Sequence, residues 1–146
     1  MSGLQATATT SSVGTGAATT KTVYLVKAPA NTGIHVRMFE ISFDGTSPTA
    51  GKALVQLVKN TTGGTGTGTN MTPVKISGHT GSVQATAKEN YTVEPSGGTV
   101  IRAYLVHTQS AFTSPEDIVL DPGEELSLRT NVPAAVNCRS QMRWTE

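Results

Sequence analysis

The closing segment, Ala-Ala-Val-Asn-Cys-Arg-Ser-Gln-Met-Arg-Trp-Thr-Glu at 134–146, constrains the fold more than any other part of the chain. Val136, Cys138, Met142 and Trp144 fall on one side of an extended backbone, and Asn137, Arg139, Gln141, Arg143 and Thr145 on the other. A period of two sustained over that length specifies a half-buried strand that runs almost to the last residue. The opening segment, 1–20, is its opposite. It holds Ser, Thr, Gly, Ala and Gln, carries no charge, and has Leu4 and Val13 as its large apolar side chains after the first residue. Such a segment buries too little apolar surface to offset its own ordering entropy, so it is expected to be mobile in isolation, either as a frayed terminus or as an arm that orders against a neighbouring subunit.

Composition agrees with strands and turns. Charged residues make up 14% of the 146 and hydrophobic residues 36%, against about 25% charged in ordinary domains. Thr and Gly are abundant and helix formers sparse, which favours extended structure. The net charge of +1 supplies no field for non-specific nucleic-acid binding, so no nucleic-acid partner is expected. Cys138 is the single cysteine, so no intramolecular disulfide can form, and its place on the apolar side of the last strand reads as a small core hydrophobe. No basic patch with a following apolar run opens the chain, and no apolar stretch is long enough for a membrane helix. Synthesis and folding in a cytoplasm, with no membrane partner, are the resulting expectations.

Strand patterns recur along 21–146. Segments 22–27, 34–43 and 53–59 are rich in β-branched and aromatic residues. Within 34–43, Phe39, Ile41 and Phe43 share one side while Val36 and Met38 take the other, a switch that signals a bulge or burial on both faces. Asp44-Gly45 supplies a turn. Segment 60–70, mostly Thr and Gly, reads as a long exposed loop. Segments 74–76 and 83–87 are weaker strands, and 82–91 is equally compatible with a helical turn. Segment 99–107 is apolar on both faces and reads as the best central strand. A loop at 111–116, a short strand at 118–120 and a type II turn at Asp121-Pro-Gly-Glu124 follow, and then a strand that turns Leu126 and Leu128 inward. The sum is an all-β chain: an antiparallel two-sheet β-sandwich, jelly-roll-like, with residues 1–20 as an extended N-terminal arm and 21–146 as the domain.

Groups that converge for catalysis are sparse. His35, His79 and His107 are isolated in the sequence, without the paired spacing that puts two imidazoles on one metal. The carboxylates cluster at Glu116-Asp117 and Glu124-Glu125, near turns, where solvated charge is the ordinary reading and calcium the alternative. The Gly63–Gly68 run lacks the Lys-Ser/Thr that ends a phosphate-binding loop. No cofactor, catalytic or metal residue is assigned. The sequons at Asn60, Asn70 and Asn90 are coincidences expected of a Thr-rich chain. Arg37, Arg102, Arg139 and Arg143 sit on strands, either as solvated side chains or as an interface for acidic neighbours.

The Thr/Ser/Gly arm, the opening strand Tyr-Leu-Val-Lys-Ala-Pro-Ala at 24–30, the Gly-Thr loop, the segment Ile-Val-Leu-Asp-Pro-Gly-Glu-Glu-Leu-Ser-Leu-Arg-Thr at 118–130 and the final Arg-Trp-Thr-Glu resemble the small jelly-roll decoration (cement) proteins of tailed bacteriophages. The resemblance covers roughly 21–146. It implies binding to the outside of an icosahedral head, commonly as a trimer, with arms that reach across adjacent major capsid proteins. It transfers no individual residue. On this reading the partners are the major capsid protein and further copies of the chain, on the capsid surface of a virion. The contact elements are the arm, through Leu4 and Val13, and the 60–72 loop, through Thr61, Thr65, Thr67 and Asn70. A glycan- or receptor-binding module of a tail or fibre is the alternative, with Tyr91, Phe112 and His79 as the rings for sugar.

Overall fold

The computed structural model describes residues 3–44, 51–61, 66–78 and 80–146. The strands are β1 (Gln5–Thr9), β2 (Val13–Gly14), β3 (Thr20–Lys27), β4 (Ile34–Phe43), β5 (Ala53–Asn60), β6 (Thr67–Met71), β7 (Val74–Ser77), β8 (Thr86–Val93), β9 (Thr99–Val106), β10 (Ala111–Leu120), β11 (Glu125–Asn131) and β12 (Asn137–Thr145). They form two antiparallel six-stranded sheets, the first in the order β10-β4-β12-β1-β7 with β2 also on β12, the second in the order β6-β8-β3-β11-β5-β9. Most consecutive strands change sheet, the wrapped course of a jelly-roll-like sandwich. Among the described residues there is no helix, and so none that could cross a membrane.

The alternation in the last strand is realised. Cys138, Met142 and Trp144 are buried and Arg139 and Arg143 exposed. The switch in β4 is a bulge: Arg143 lies opposite Met38 and Trp144 opposite Val36, so Arg37 is the extra residue and both Val36 and Phe39 reach the core. The turn at 121–124 forms as its residues require. The Glu124 N–H donates to the Asp121 carbonyl at 3.0 Å, and Gly123 takes φ +82°, a conformation other residues adopt only with strain.

Glu124 locks that turn. Its carboxylate accepts from the Asp121 N–H at 2.8 Å and lies 3.1 Å from Lys59 Nζ. The Asp121 bond chiefly, helped by Lys59 and opposed by burial, holds the carboxyl below its ordinary value of 4.5. A depressed folded-state pKa contributes stability above the unfolded value and loses it as pH falls through the folded one. Glu124→Gln is therefore expected to lower the Tm at about pH 7, and the gap from the wild type to shrink toward about pH 3. Thermal melts of both proteins across that range check it.

Five expectations change. The 1–20 segment does not stand apart as an arm: β1 pairs with β12 on one side and β7 on the other. Leu4, Ala6, Ala8 and Val13 are buried, and the Tyr24 hydroxyl crosses from the second sheet to donate to the Ala8 carbonyl at 2.9 Å. Small residues suffice here because the backbone ladder supplies the attachment. The 60–70 loop yields β6, whose Gly68 lies beneath the Tyr91 ring, where a Cβ would come within 2.7 Å of the ring. The 82–91 segment is strand from Thr86 onward, not a helical turn. The 111–116 loop belongs to β10, continuous but for a register shift between Pro115 and Ile118. Pro115 is tolerated because β10 is an edge strand. Finally, β9 is not central but the outer edge of the second sheet.

Candidate interaction surfaces

The six expected contact residues separate. Leu4 and Val13, 3% and 1% exposed, are core and cannot meet a partner from the surface. Thr67 and Asn70 are exposed on β6, and Thr61 is exposed just after β5; Thr65, His79 and Gly45 lie outside the described residues. None of the seven aromatic side chains is exposed. Tyr91 is buried and its hydroxyl pushed up to about 12, by burial first and then by Glu125 and Glu94. Phe112 packs on Tyr104 and Phe39 with ring centroids 5.0 and 5.8 Å away. The Cys138 thiol is likewise pushed up to about 12 by burial, with Asp44 adding to it. It is an inert filler.

The aromatic trio closes one side of the sandwich, where β9 and β10 end their sheets. Beneath this edge Glu116 is nearly sealed, its side chain 3% exposed, and lies 3.4 Å from Arg102 Nε. It also accepts from the Tyr104 hydroxyl at 3.3 Å. This contact decides the character of β9. Arg102 is the one charged residue on the strand, and its half-exposed side chain pairs with Glu116. Proteins usually blunt an edge with free charge, proline or a bulge. β10 has Pro115 and a register shift. β9 has no proline; a register shift against β5 leaves Ile101 as an extra residue, and the strand exposes Val100 and Leu105, the latter at 67%. Val119 of β10 is exposed beside it. Apolar residues on both faces suggested a central strand; an edge strand with an exposed apolar outer face has the same signature.

The chain matches no family model, no curated protein and no solved structure. Its chemistry is therefore read from its own side chains. Every Asp and Glu side chain other than Asp121 is held by a donor or cation of the same chain. Glu40 accepts from Thr113, Asp44 from Asn137, Glu89 from Ser11 and Glu94 from Thr22. Asp117 pairs with His35, Glu125 with Lys27 and Glu116 with Arg102. Glu124 takes the Asp121 N–H and Glu146 the Gln84 N–H. The two carboxylate pairs named as calcium alternatives thus turn to four different side chains, Arg102, His35, Lys59 and Lys27. Among the described residues no three His, Cys, Asp or Glu side chains gather for a metal.

The arginines behave differently. Arg37, Arg139 and Arg143 stand exposed on the outer face of the first sheet, while Arg102 lies in the second. Among the described residues none of these three is ion-paired, and Arg37 Nε donates only to the Thr145 hydroxyl at 3.4 Å.

Proposed function

We propose that the protein is a structural virion component, a capsid decoration protein that binds the outer surface of a phage head as a homotrimer. There it would clamp neighbouring capsomers. The observation that carries this reading is the β9 edge: eight residues from Thr99 to Val106 with one neighbour strand among the described residues, exposed Val100 and Leu105, and a single charge, Arg102, that pairs with Glu116. An apolar edge, although bulged at Ile101, suits pairing with a different edge of the next copy, the head-to-tail contact that a closed trimer requires. A head pressurised by DNA fails where capsomers part, and a closed oligomer attached at several points turns weak contacts into a durable clamp. The glycan-binding alternative draws less support: none of the seven Phe, Tyr and Trp side chains is exposed, Tyr91 and Phe112 included, and His79 lies outside the described residues.

Light scattering and co-sedimentation with phage heads lacking the protein test this. The wild type is expected to be a trimer that pellets with heads. Leu105→Lys combined with Val100→Lys is expected to give a folded monomer whose head binding falls by at least about tenfold through lost multivalency. A wild type that stays monomeric and remains in the supernatant overturns the proposal.

A further inference from the structure

We propose that the outer face of the first sheet, centred on Arg37, Arg139 and Arg143, docks onto a carboxylate-rich patch of a partner protein. This rests on the reading of the chain as an adhesive structural protein and adds the chemistry of the surface it adheres to. The chain's near-neutral net charge conceals an asymmetry. Its carboxylates are almost all occupied by its own donors, whereas among the described residues three arginines on one face have no carboxylate partner.

The strand registry builds this face. Arg139 and Arg143 are four residues apart on β12, about 13 Å along the strand, and both turn outward by the period of two. Arg143 lies opposite Met38 of β4 and Thr7 of β1. The bulge at Arg37 brings a third guanidinium beside them, since a strand without the extra residue would place its side chains differently. Around the arginines lie uncharged hydrogen-bonding groups, namely Gln5, Thr7, Thr9 and Gln141 on the same outward registry. Guanidinium groups bind carboxylates through two parallel hydrogen bonds and are weakly hydrated, which makes arginine the cation suited to a face that becomes desolvated.

The acids on the face are few. Glu40 lies opposite Gln141 and is held by the Thr113 hydroxyl at 2.7 Å. Asp117 is at the β10 margin on His35. Both disfavour a continuous polyphosphate track, and no aromatic side chain is exposed there to stack a base. The occupant is therefore an acidic protein surface and not a nucleic acid. The face is also separate from the β9 edge, so self-association through that edge leaves it open.

The test is titration of isotope-labelled full-length protein with a poly-glutamate peptide, followed by amide chemical shifts. Shifts are expected on β12 and β4, around Arg139, Arg143 and Arg37, and should vanish at about 0.5 M salt. Arg139→Glu with Arg143→Glu should weaken binding by at least about tenfold, while Arg139→Lys with Arg143→Lys keeps part of it. Shifts centred instead on Lys21, Lys52 or Lys88, no shifts at all, or indifference to charge reversal would overturn the proposal. So would tighter binding of a single-stranded oligonucleotide to the same face. The charge-reversed protein also goes through light scattering and head co-sedimentation. If it binds heads as the wild type does, this inference fails and the decoration reading stands; if the wild type binds the peptide but no heads, the reverse holds.

Discussion

Replacing Trp144 by alanine is expected to lower the unfolding free energy by about 3–5 kcal/mol. The indole is fully buried, flanked in the ladder by Ala6 of β1 and Val36 of β4. Neither neighbour has the bulk to fill the space that an alanine leaves, so both the lost transfer energy and the cavity count. The ring also has a polar role, since its Nε1–H donates to the Glu146 carboxylate at 3.1 Å. That carboxylate takes the Gln84 and Ala85 N–H groups at 2.8 and 3.2 Å, tying the segment before β8 to the end of β12. Single domains are stable by about 5–15 kcal/mol, so the variant should lose a large share of its margin, a fall of about 10–15 °C in Tm. Trp144→Phe keeps most of the apolar area and should lose roughly half as much. Urea unfolding followed by far-ultraviolet circular dichroism measures both, because Trp144 is the only tryptophan and its fluorescence disappears with it. A loss below about 1 kcal/mol for the alanine variant would contradict the packing described here.

What could be read in advance follows from how each strand is held. Strands fixed by large side chains announced themselves: β3, β4, β5, β11 and β12 bury Tyr24, Phe39, Leu57, Leu126 and Trp144, and alternation or apolar runs marked all five. The β4 bulge was one of two readings of the switch between Val36 and Phe39, burial on both faces being the other. Strands held by backbone pairing left no such mark. β1 offers alanines at 6 and 8 to the core, and β6 offers Thr, Gly and Asn to solvent, patterns also typical of loops. The edge position of β9 was hidden for a different reason. Two apolar faces look the same on a central strand and on an edge strand with an exposed apolar face, and the pairing of Arg102 with Glu116 links residues fourteen positions apart. The arginine face was half legible. Its strands were known but its sheet was not, and Arg102 belongs elsewhere.

Removal of residues 1–16 is expected to have a larger effect than any single substitution: no cooperative unfolding transition near the wild-type Tm, and loss to the insoluble fraction. β1 is an interior strand, so its removal strips β12 of its partner from Gln141 to Thr145 and leaves β7 with nothing to pair. Buried polar groups lose their partners as well. The Tyr24 hydroxyl, in an environment that pushes its pKa well up through burial, loses the Ala8 carbonyl. The Ser140 N–H loses the Thr10 hydroxyl, and Glu146 N loses the Leu4 carbonyl. Each orphaned buried group costs about 1–3 kcal/mol, and the uncovered apolar surface left by Leu4, Ala6, Ala8 and Val13 adds to that. A free arm would behave in the opposite way, since its loss would leave the melt unchanged and abolish only attachment to a partner. Comparing solubility and calorimetric Tm of the truncated and full-length chains separates the two. A truncated protein that melts cooperatively at the wild-type temperature would detach β1 from the fold and return it to the contact elements. The expected collapse has a practical consequence for adhesion. Arm deletion cannot report on partner binding, because it removes the sheet on which Arg139 and Arg143 stand, so binding is measured through exposed side chains on β9, β4 and β12.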